Sequence, residues 1–433
     1  MERPQTLEHI PIVGIQAAPP RWNRLQKIGL GRLSRFNHGS FTQMALNEMY
    51  KDQFPDGYPV ENVQCFDTHA KVIHALGKGA IEMAIIPVDN TFSGRVKTSI
   101  NALRDARYRI LEEKTTEIGQ YLLHHNNHNK DDIEYVMSQK PALDQARSEI
   151  ERNNWGIFEA KDTVMSAIKV ARKKGIIGGK RTAAIASRLA GEKNGLTVGP
   201  LLSKKGNATT FWRIDTGQSK EVVKNPNRMA FTFTVADRPG SLYDMVAPIT
   251  DLGCDFTDID CHLSKDEDAA SFFAEIEIPE GVDPDELLRK IYDATMLISE
   301  PGKTFSLMGV YRDTTKPGIS DVVQFDSEHI PTAIDTNEWA RVGSSHAEGS
   351  QVVYISAKNK HASLKGMLGA FKFNSINVKD MSRPTSPNGN GARGFFFVIE
   401  PNVDISAALA DLEESEYKVQ QYHYTQGELA LAA

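Results

Sequence analysis

Polar side chains that could do chemistry follow an apolar strand near residue 90. An Ile-Ile-Pro-Val run leads directly into Asp89, Asn90, Thr91, Ser93 and Gly94. A carboxylate can transfer protons, whereas amides, hydroxyls and a turn glycine can hydrogen-bond an oxygen-rich ligand. Strands that end in such groups commonly deliver them to a cleft. We therefore expect a small-molecule site at the end of this strand.

Other residues with familiar chemistry do not form a recognisable site. The three cysteines, Cys65, Cys254 and Cys261, have neither paired nor metal-ligand spacing, which is typical of a reducing compartment. His124 and His128 have the i, i+4 spacing of a helical metal pair, but no Glu lies between them and the neighbouring asparagines favour a turn. We expect no metal and no organic cofactor.

The elements that must position the polar cluster alternate between helix and strand. Helical spacing follows residues 39–42, a second helical stretch covers Ala70–Leu76, and an apolar strand covers Ala84–Val88. The same order returns over residues 132–186, with these predicted elements: strand Ile133–Met137, helix Ala142–Ile150, helix Thr163–Ala171 and strand Ala183–Ala186. This alternation predicts two α/β lobes that face each other across a cleft.

The pattern changes after the polar segment Asp215–Asn227, which is the predicted boundary. Ser241 and Ser363 both begin helical stretches and are 122 residues apart in the printed sequence, as 363 − 241 gives. This repeat predicts two α+β modules of βαββαβ type. The predicted divisions are an irregular arm at 1–25, a catalytic domain at 26–216, a first module at 228–313, a linker at 314–349 and a second module at 350–427.

Composition limits the classes of function. A chain of 433 residues is too long for one ordinary core, which agrees with several domains. The formal net charge of -6 gives no general attraction to nucleic acid or to anionic membranes. The sequence has no apolar run long enough to span a membrane and no apolar signal core near its start, so we expect a cytoplasmic protein.

The polar motifs, taken in order, resemble those of the prephenate dehydratase family over most of residues 26–216. The motifs that carry the resemblance are Gly39-Ser40-Phe41-Thr42, Ile86-Pro87-Val88-Asp89-Asn90-Thr91-Phe92-Ser93-Gly94, Ser138 with Gln145, Asp162-Thr163, and Asn207-Ala208-Thr209-Thr210-Phe211. The resemblance implies an α/β, bilobal, periplasmic-binding-protein-like domain that holds prephenate between its lobes. Residues 228–313 resemble the ACT regulatory domain that often follows it, and the repeat is ACT-like.

The resemblance also implies roles for individual residues. The implied catalytic residues are Thr209, Asp89 and Asn90. The implied substrate-binding residues are Thr91, Ser93, Gly94, Ser138, Gln145, Lys161, Thr163 and Phe211.

Four positions depart from the family pattern and affect the expected reaction. Asp89 replaces a usual Glu, Lys161 a usual acid, Asp162 a usual Ser, and Thr210 the usual Arg of a Thr-Arg-Phe triplet. These changes favour a prephenate decarboxylase, which keeps the ring hydroxyl, over a prephenate dehydratase, which expels it. A metabolite sensor without turnover is a third reading.

For the ACT-like half, the resemblance implies a site for an amino-acid effector and a homodimer or homotetramer. The implied effector-binding residues are Gly240, Ser241, Leu242, Ser363, Leu364, Ser382 and Arg383. The Arg of the family's second effector motif is missing from the first module, where Asp260-Cys261-His262-Leu263 stands instead. The alternative is that both modules only mediate dimerisation.

Overall fold

The computed structural model describes 14 stretches of the chain. They are residues 12–16, 40–66, 68–91, 94–103, 108–203, 206–217, 221–263, 269–296, 305–314, 350–356, 363–382, 394–415, 417–425 and 428–431. These residues form two compact units. The first contains the described residues up to Glu221 together with Thr314, and the second contains those from Val222 to Asp313 and those from residue 350 onward.

The first unit contains eleven strands and seven helices among its described residues. The strands are β1 Val13–Gln16, β2 Val63–Phe66, β3 Met83–Asn90, β4 Arg109–Glu117, β5 Tyr121–His124, β6 Tyr135–Ser138, β7 Gly156–Glu159, β8 Ile176–Ile177, β9 Lys180–Ala186, β10 Thr197–Leu201 and β11 Ala208–Asp215. The helices are α1 Phe41–Met49, α2 His69–Gly77, α3 Lys97–Leu103, α4 Lys140–Gln145, α5 Arg147–Arg152, α6 Thr163–Arg172 and α7 Arg188–Lys193.

The first lobe is a mixed sheet in the order β4-β11-β3-β1-β2. Strand β1 pairs in parallel with both β2 and β3, whereas β11 pairs antiparallel with β3 and β4. The prediction of an irregular arm over residues 1–25 was wrong at Val13–Gln16, because four residues are too few to show a strand period in the sequence. A Cβ at Gly14 would lie 2.2 Å from Ile81 Cδ1, so the helix side of β1 is closely packed.

The second lobe is a sheet in the order β10-β5-β9-β6-β7, and β8 pairs with β9. Successive residues of β9 alternate between two apolar clusters, with Ala183 and Ile185 on one side and Ala184 and Ala186 on the other. Helices α4 and α5 cover one side, and α6 and α7 cover the other. The single helix predicted over Ala142–Ile150 is two helices, because the backbone at Ala146 leaves the helical region at φ -95° and ψ 5°.

Two crossover segments connect the lobes. Residues 118–120 lead from β4 to β5, and residues 202–207 lead from β10 to β11. The segments are hydrogen-bonded to each other at both ends: Ile118 N donates to Asn207 O at 2.7 Å, and Leu202 N donates to Gln120 O at 2.7 Å. The polar clusters predicted for catalysis lie next to these crossovers.

The second unit consists of two modules with the same order of elements. The first is β12 Arg228–Ala236, α8 Ser241–Asp251, β13 Phe256–Leu263, β14 Ala269–Glu277, α9 Pro284–Met296 and β15 Phe305–Asp313. The second is β16 Gln351–Ser356, α10 Ser363–Phe373, β17 Val378–Ser382, β18 Gly394–Ile399, α11 Ser406–Glu414, β19 Lys418–Thr425 and an added strand β20 Glu428–Leu431. The predicted βαββαβ duplication is therefore confirmed.

The two modules pack against each other and share one apolar core. That core contains Met245 and Ile249 from α8, and Leu368 and Phe371 from α10. Helices α8 and α10 run antiparallel, because Asp244 pairs with Lys372 at one end and Asp251 pairs with Lys365 at the other. Within the described stretches, no helix is long and apolar enough to cross a membrane.

Candidate functional site

Strand β11 brings Thr209 beside the end of β3. In the antiparallel register Thr209 lies opposite Asn90, although 119 residues separate them in the chain. The Asn90 amide nitrogen donates to Thr209 Oγ1 at 2.9 Å, and both side chains are at least nine-tenths buried. Since Thr209 Oγ1 accepts this bond, its own proton remains available to a further acceptor.

The neighbouring residue, Thr210, faces a different strand. Its Oγ1 lies 2.9 Å from Oγ1 of Thr115 on β4. Alternation along β11 places consecutive side chains on opposite faces, so Thr209 and Thr210 serve different surroundings. Where the family pattern carries a guanidinium, this chain presents a neutral hydroxyl that is hydrogen-bonded to another hydroxyl.

Asp89 precedes Asn90 and is partly exposed at the end of β3. It lies opposite Thr210 in the strand register. Gly94 closes the turn that follows, with φ +64°, a conformation that a residue with a Cβ adopts less readily. Asn90 N donates to Gly94 O and Gly94 N donates to Asn90 O, so the Gly94 amide is not free for a ligand carboxylate.

Several predicted donors are already used within the protein. Thr91 Oγ1 donates to Gly206 O at 2.8 Å and accepts from Ala208 N at 3.0 Å. Ser138 is fully buried and donates to Ile185 O at 2.7 Å. In this structure backbone carbonyls accept the protons of Thr91 and Ser138, and the substrate-binding roles of both residues stay predictions. Ser93 lies outside the described residues.

The second lobe contributes the ends of two helices. Gln145 is the last residue of α4, and its Oε1 accepts from Asn207 Nδ2 at 2.9 Å. At α6, Thr163 is buried in the first turn, and the Asp162 carboxylate caps the helix by accepting from Met165 N at 2.7 Å. Burial raises the pKa of the Asp162 carboxyl, against the lowering effect of its backbone hydrogen bonds.

The remaining predicted substrate residues differ in exposure. Lys161 is exposed just before the α6 cap, whereas Phe211 is only 2% exposed on β11. The exposed ammonium group of Lys161 is available to an anion, whereas Phe211 is buried like a core residue. Motif order alone did not distinguish these two situations.

Asn207 was missed as an individual site residue, although it stands at the head of the Asn207–Phe211 motif. It is 3% exposed and donates to both Gln145 Oε1 and Ile118 O. Its position two residues before Thr209 in the sequence was the only signal that could have identified it, because its burial and hydrogen bonds appear only in the folded structure.

A second cleft lies between the two modules of the second unit. It is lined at the start of α8 by Gly240, Ser241 and Leu242, and on the second module by these residues: Leu368, Phe371, Lys372, Ile376, Asn377 and Val378. The Ser241 hydroxyl is buried and has no hydrogen-bond partner among the described residues. Gly240 is the cap of α8 and has φ +82°.

Ion pairs surround this cleft. Lys372 Nζ donates to Asp244 at 2.6 Å, and Asp237 accepts from Asn377 and from Lys379 at 2.7 Å each. The sequence predicted a different lining for the second-module side of this cleft. Of the residues predicted there, Leu364 is buried in the core. The side chains of Ser363 and Ser382, and the whole of Arg383, lie outside the described structure. The cleft instead uses the end of α10 and the residues that follow it.

The comparisons with known proteins agree with this architecture. The family model described as prephenate dehydratase matches residues 37–219. A curated relative, "Prephenate dehydratase" of Lactococcus lactis subsp. lactis, is 25% identical over 208 residues, which are 46% of this chain and 72% of that protein. Residues 37–219 thus lie in an α/β domain with two lobes that is similar to the prephenate dehydratase class.

Solved structures show the same fold. A structure described as "a novel type of quorum quenching acylases" is 21% identical, has a TM-score of 0.54, and is matched over 70% of this chain and 98% of its own. The prephenate dehydratase from Arthrobacter aurescens in complex with L-Phe is 16% identical, has a TM-score of 0.53, and is matched over 70% of this chain and 90% of its own. Over residues 37–219, the chain is therefore similar to the prephenate dehydratase family.

Proposed function

We propose that the first unit is a cofactor-independent lyase that acts on prephenate. The observation that carries the proposal is the buried Asn90–Thr209 pair, which leaves the Thr209 proton free to donate beside the crossover segments. Prephenate offers two carboxylates, a ketone and a ring hydroxyl, all of which accept hydrogen bonds. The match to the family model and the name of the curated relative support this substrate.

Within this class we favour decarboxylation that leaves the ring hydroxyl in place. The bond between the ring and its carboxylate breaks, carbon dioxide leaves, and the electron pair passes into the diene, which takes up one proton at a ring carbon. This reaction chiefly needs a positioned carboxylate and surroundings that accept charge developing in the diene. Replacement of the family Arg by Thr210, whose hydroxyl bonds to Thr115, supports it because the chain departs from the dehydratase pattern at this position.

Dehydration is the competing outcome, and the Thr209 geometry favours it. There the same electron pair expels the ring hydroxyl, and the proton converts it to water while the ring becomes aromatic. A hydroxyl donor placed at the leaving oxygen would assist this step. In a decarboxylase, the same donor would hold the ring hydroxyl and thereby fix the position of the leaving carboxylate.

The test is to incubate the purified full chain with prephenate and identify the product by mass and NMR. We expect a dihydro-4-hydroxyphenylpyruvate, whose hydroxyl is retained. Phenylpyruvate would instead establish the dehydratase. Unchanged prephenate, together with measurable binding, would move the assignment to a metabolite sensor.

Two variants sharpen the assignment. Thr209→Val keeps the shape of the side chain and removes its donor, so turnover should fall by about 100-fold. Thr210→Arg restores the family cation and should raise the share of phenylpyruvate, whereas the control Thr210→Val, which removes the hydroxyl without adding charge, should leave the product ratio unchanged. A Thr209→Val enzyme with full activity would contradict the catalytic role of Thr209.

For the second unit, we propose that the cleft at the start of α8 binds an amino-acid effector. The buried and unpartnered Ser241 hydroxyl supports this site, as does the start of α8, where the positive end of the helix dipole favours an anion. A ligand carboxylate would lie against that helix end, and Asp237 would face the ammonium group. The L-Phe complex of the Arthrobacter aurescens protein makes L-phenylalanine the first ligand to test.

Calorimetric titration of the full chain with L-phenylalanine, and then with other amino acids, tests the effector site. Saturable binding that Ser241→Ala weakens at least tenfold would support it. Absence of binding by all the amino acids would leave the modules with a purely structural role, and equal binding by Ser241→Ala would reject this cleft as the effector site.

A further inference from the structure

Asn207 joins the two lobes of the first unit through its side chain. It ends the crossover segment 202–207 and is 3% exposed. Its amide contacts Asn90 at the end of β3, in the first lobe, and Gln145 at the end of α4, in the second. One buried side chain therefore contacts predicted site residues from both lobes.

Two backbone carbonyls fix the orientation of this network. Ile118 O lies 3.3 Å from one end of the Asn207 amide, and Ala208 O lies 2.8 Å from one end of the Asn90 amide. Carbonyl oxygens only accept hydrogen bonds, so each must face an NH₂ group. The orientation of both amides follows from this chemistry.

The fixed amides determine what the neighbouring groups can offer. With its NH₂ turned to Ile118, Asn207 presents Oδ1 to the Asn90 NH₂ at 2.9 Å. The Asn207 NH₂ also meets Gln145, which must present Oε1 at 2.9 Å and leave its own NH₂ pointing away. The Asn90 NH₂ shares its two protons among Asn207 Oδ1, Ala208 O and Thr209 Oγ1. Because an amide nitrogen accepts no hydrogen bond, the Thr209 proton must point elsewhere.

We propose that Asn207 is a positioning residue that makes Gln145 act as a hydrogen-bond donor toward the ligand, alongside Thr209 in the first lobe. The proposal rests on the proposed prephenate lyase, whose substrate presents mainly acceptor oxygens. Reversal of the Asn207 amide would turn the Gln145 NH₂ inward and its oxygen outward, against the substrate's own oxygens. The Asn207 amide thus sets the polarity of the donor that the second lobe contributes.

The decisive variant is Asn207→Asp, which keeps the size of the side chain but has no proton to give. Ile118 O then loses its bond from residue 207, and Gln145 must rotate its amide to donate to the new carboxylate. We expect kcat/KM for prephenate to fall at least tenfold. Ser203→Ala is the matched control, because Ser203 Oγ donates to the same Ile118 O and has no bond to Asn90 or Gln145. It should leave kcat/KM within twofold.

Coupling to Gln145 separates positioning from a general structural role. Gln145→Ala should reduce kcat/KM at least fivefold in the wild-type chain and less than twofold in Asn207→Asp, where Gln145 is already reversed. Two effects that simply multiply would overturn the proposal. If Asn207→Asp does not fold, Asn207→Leu replaces it, since an apolar side chain of similar size also releases Gln145.

A measurement without turnover keeps this test independent of the lyase assignment. In the wild-type chain the Gln145 side-chain NH₂ should exchange rapidly with solvent, and in Asn207→Asp it should become protected, as followed by NMR of the ¹⁵N-labelled amide. Equal exchange in both proteins would refute the network even if prephenate is consumed. If the Gln145 NH₂ is protected from exchange only in Asn207→Asp, and the wild-type chain does not consume prephenate, the network would be supported and prephenate would be rejected as the substrate.

Discussion

The Asp162 carboxylate has two opposing roles at the start of α6. It caps the helix through Met165 N, which favours the ionised form, but burial has the larger effect and raises its pKa above the ordinary value of 3.8. A carboxyl that binds its proton more tightly in the folded state stabilises the protein when protonated, and this contribution is lost as the pH rises through its folded pKa. At neutral pH the buried charge is therefore a cost.

Asp162→Asn should make the chain more stable at pH 7. Asparagine caps helices about as well as aspartate and has no charge to bury. The gain should be below about 1 kcal/mol, and it should vanish as the pH falls below the ordinary carboxyl range, near 4. Urea unfolding of both proteins between pH 4 and pH 8 measures it. A variant that loses stability at pH 7 would show that the carboxylate's hydrogen bonds outweigh its burial.

Residues in the polar cluster show what the sequence could and could not predict. Motif order placed Asp89, Asn90 and Thr209 together, since each family motif implies its neighbours. It could not show that Thr91 and Ser138 donate to backbone carbonyls, because the acceptors lie 115 and 47 residues away in the chain. Which hydroxyl remains free depends on strand register, and register is a property of the folded sheet.

At the scale of elements, α8 is bounded by two glycines in the left-handed region. Gly240 caps its first turn with φ +82°, and Gly253 follows its last turn with φ +85°. A Cβ on Gly240 would lie 2.9 Å from Lys372 Cγ on α10, whereas a Cβ on Gly253 would meet nothing closer than Pro279 Cγ at 4.0 Å. A residue with a Cβ would therefore be strained in its backbone at both positions, but it would meet a close neighbour only at Gly240.

Gly240→Ala should destabilise the chain more than Gly253→Ala. Both pay about 1 kcal/mol for placing alanine in the left-handed region. Only Gly240→Ala also displaces the Lys372 stem, which adds roughly 1 kcal/mol. Urea midpoints of the two variants provide the comparison. Equal losses would show that Lys372 moves aside without cost.

Element type was largely readable from the sequence, and packing between elements was not. Hydrophobic periodicity predicted the helices at Thr163 and Ser241 and the strand that ends at Asn90. It missed β1, which has only four residues, and merged α4 with α5, because a one-residue break at Ala146 leaves no mark in composition. Lys372 and Asn377 line the second cleft because α8 packs against α10. Hydrophobic periodicity predicts each helix but not which helices pack together.

At the scale of the whole molecule, the two modules behave as one structural unit. The apolar core runs through both, and Tyr243 packs edge-on against Phe373 with ring centroids 5.8 Å apart. On the neighbouring strands, burial is the main cause that raises the pKa of the Cys261 thiol, and Asp380 on β17 adds to it. Neither module completes its core alone. The predicted homodimer or homotetramer stays a prediction.

A fragment of residues 222–433 should unfold in one cooperative transition, because its two modules share a core. A fragment of residues 222–313 should self-associate, since removal of α10 exposes the apolar side of α8 to water. Light scattering after size-exclusion chromatography, combined with urea unfolding, tests both expectations. A monomeric shorter fragment with the stability of the longer one would show that the modules are energetically independent.

The antiparallel helix pair also determines which module can pair with which. Its acidic members, Asp244 and Asp251, both belong to α8, and its lysines, Lys372 and Lys365, both belong to α10. Two copies of α8 brought together in the same way would place acids near one another without those lysines, which disfavours exchange of modules between chains. The covalent tether adds a high effective concentration of the correct partner. Since this junction is built from two different halves, a substitution changes only one wall of the cleft, whereas in a symmetric dimer it would change both.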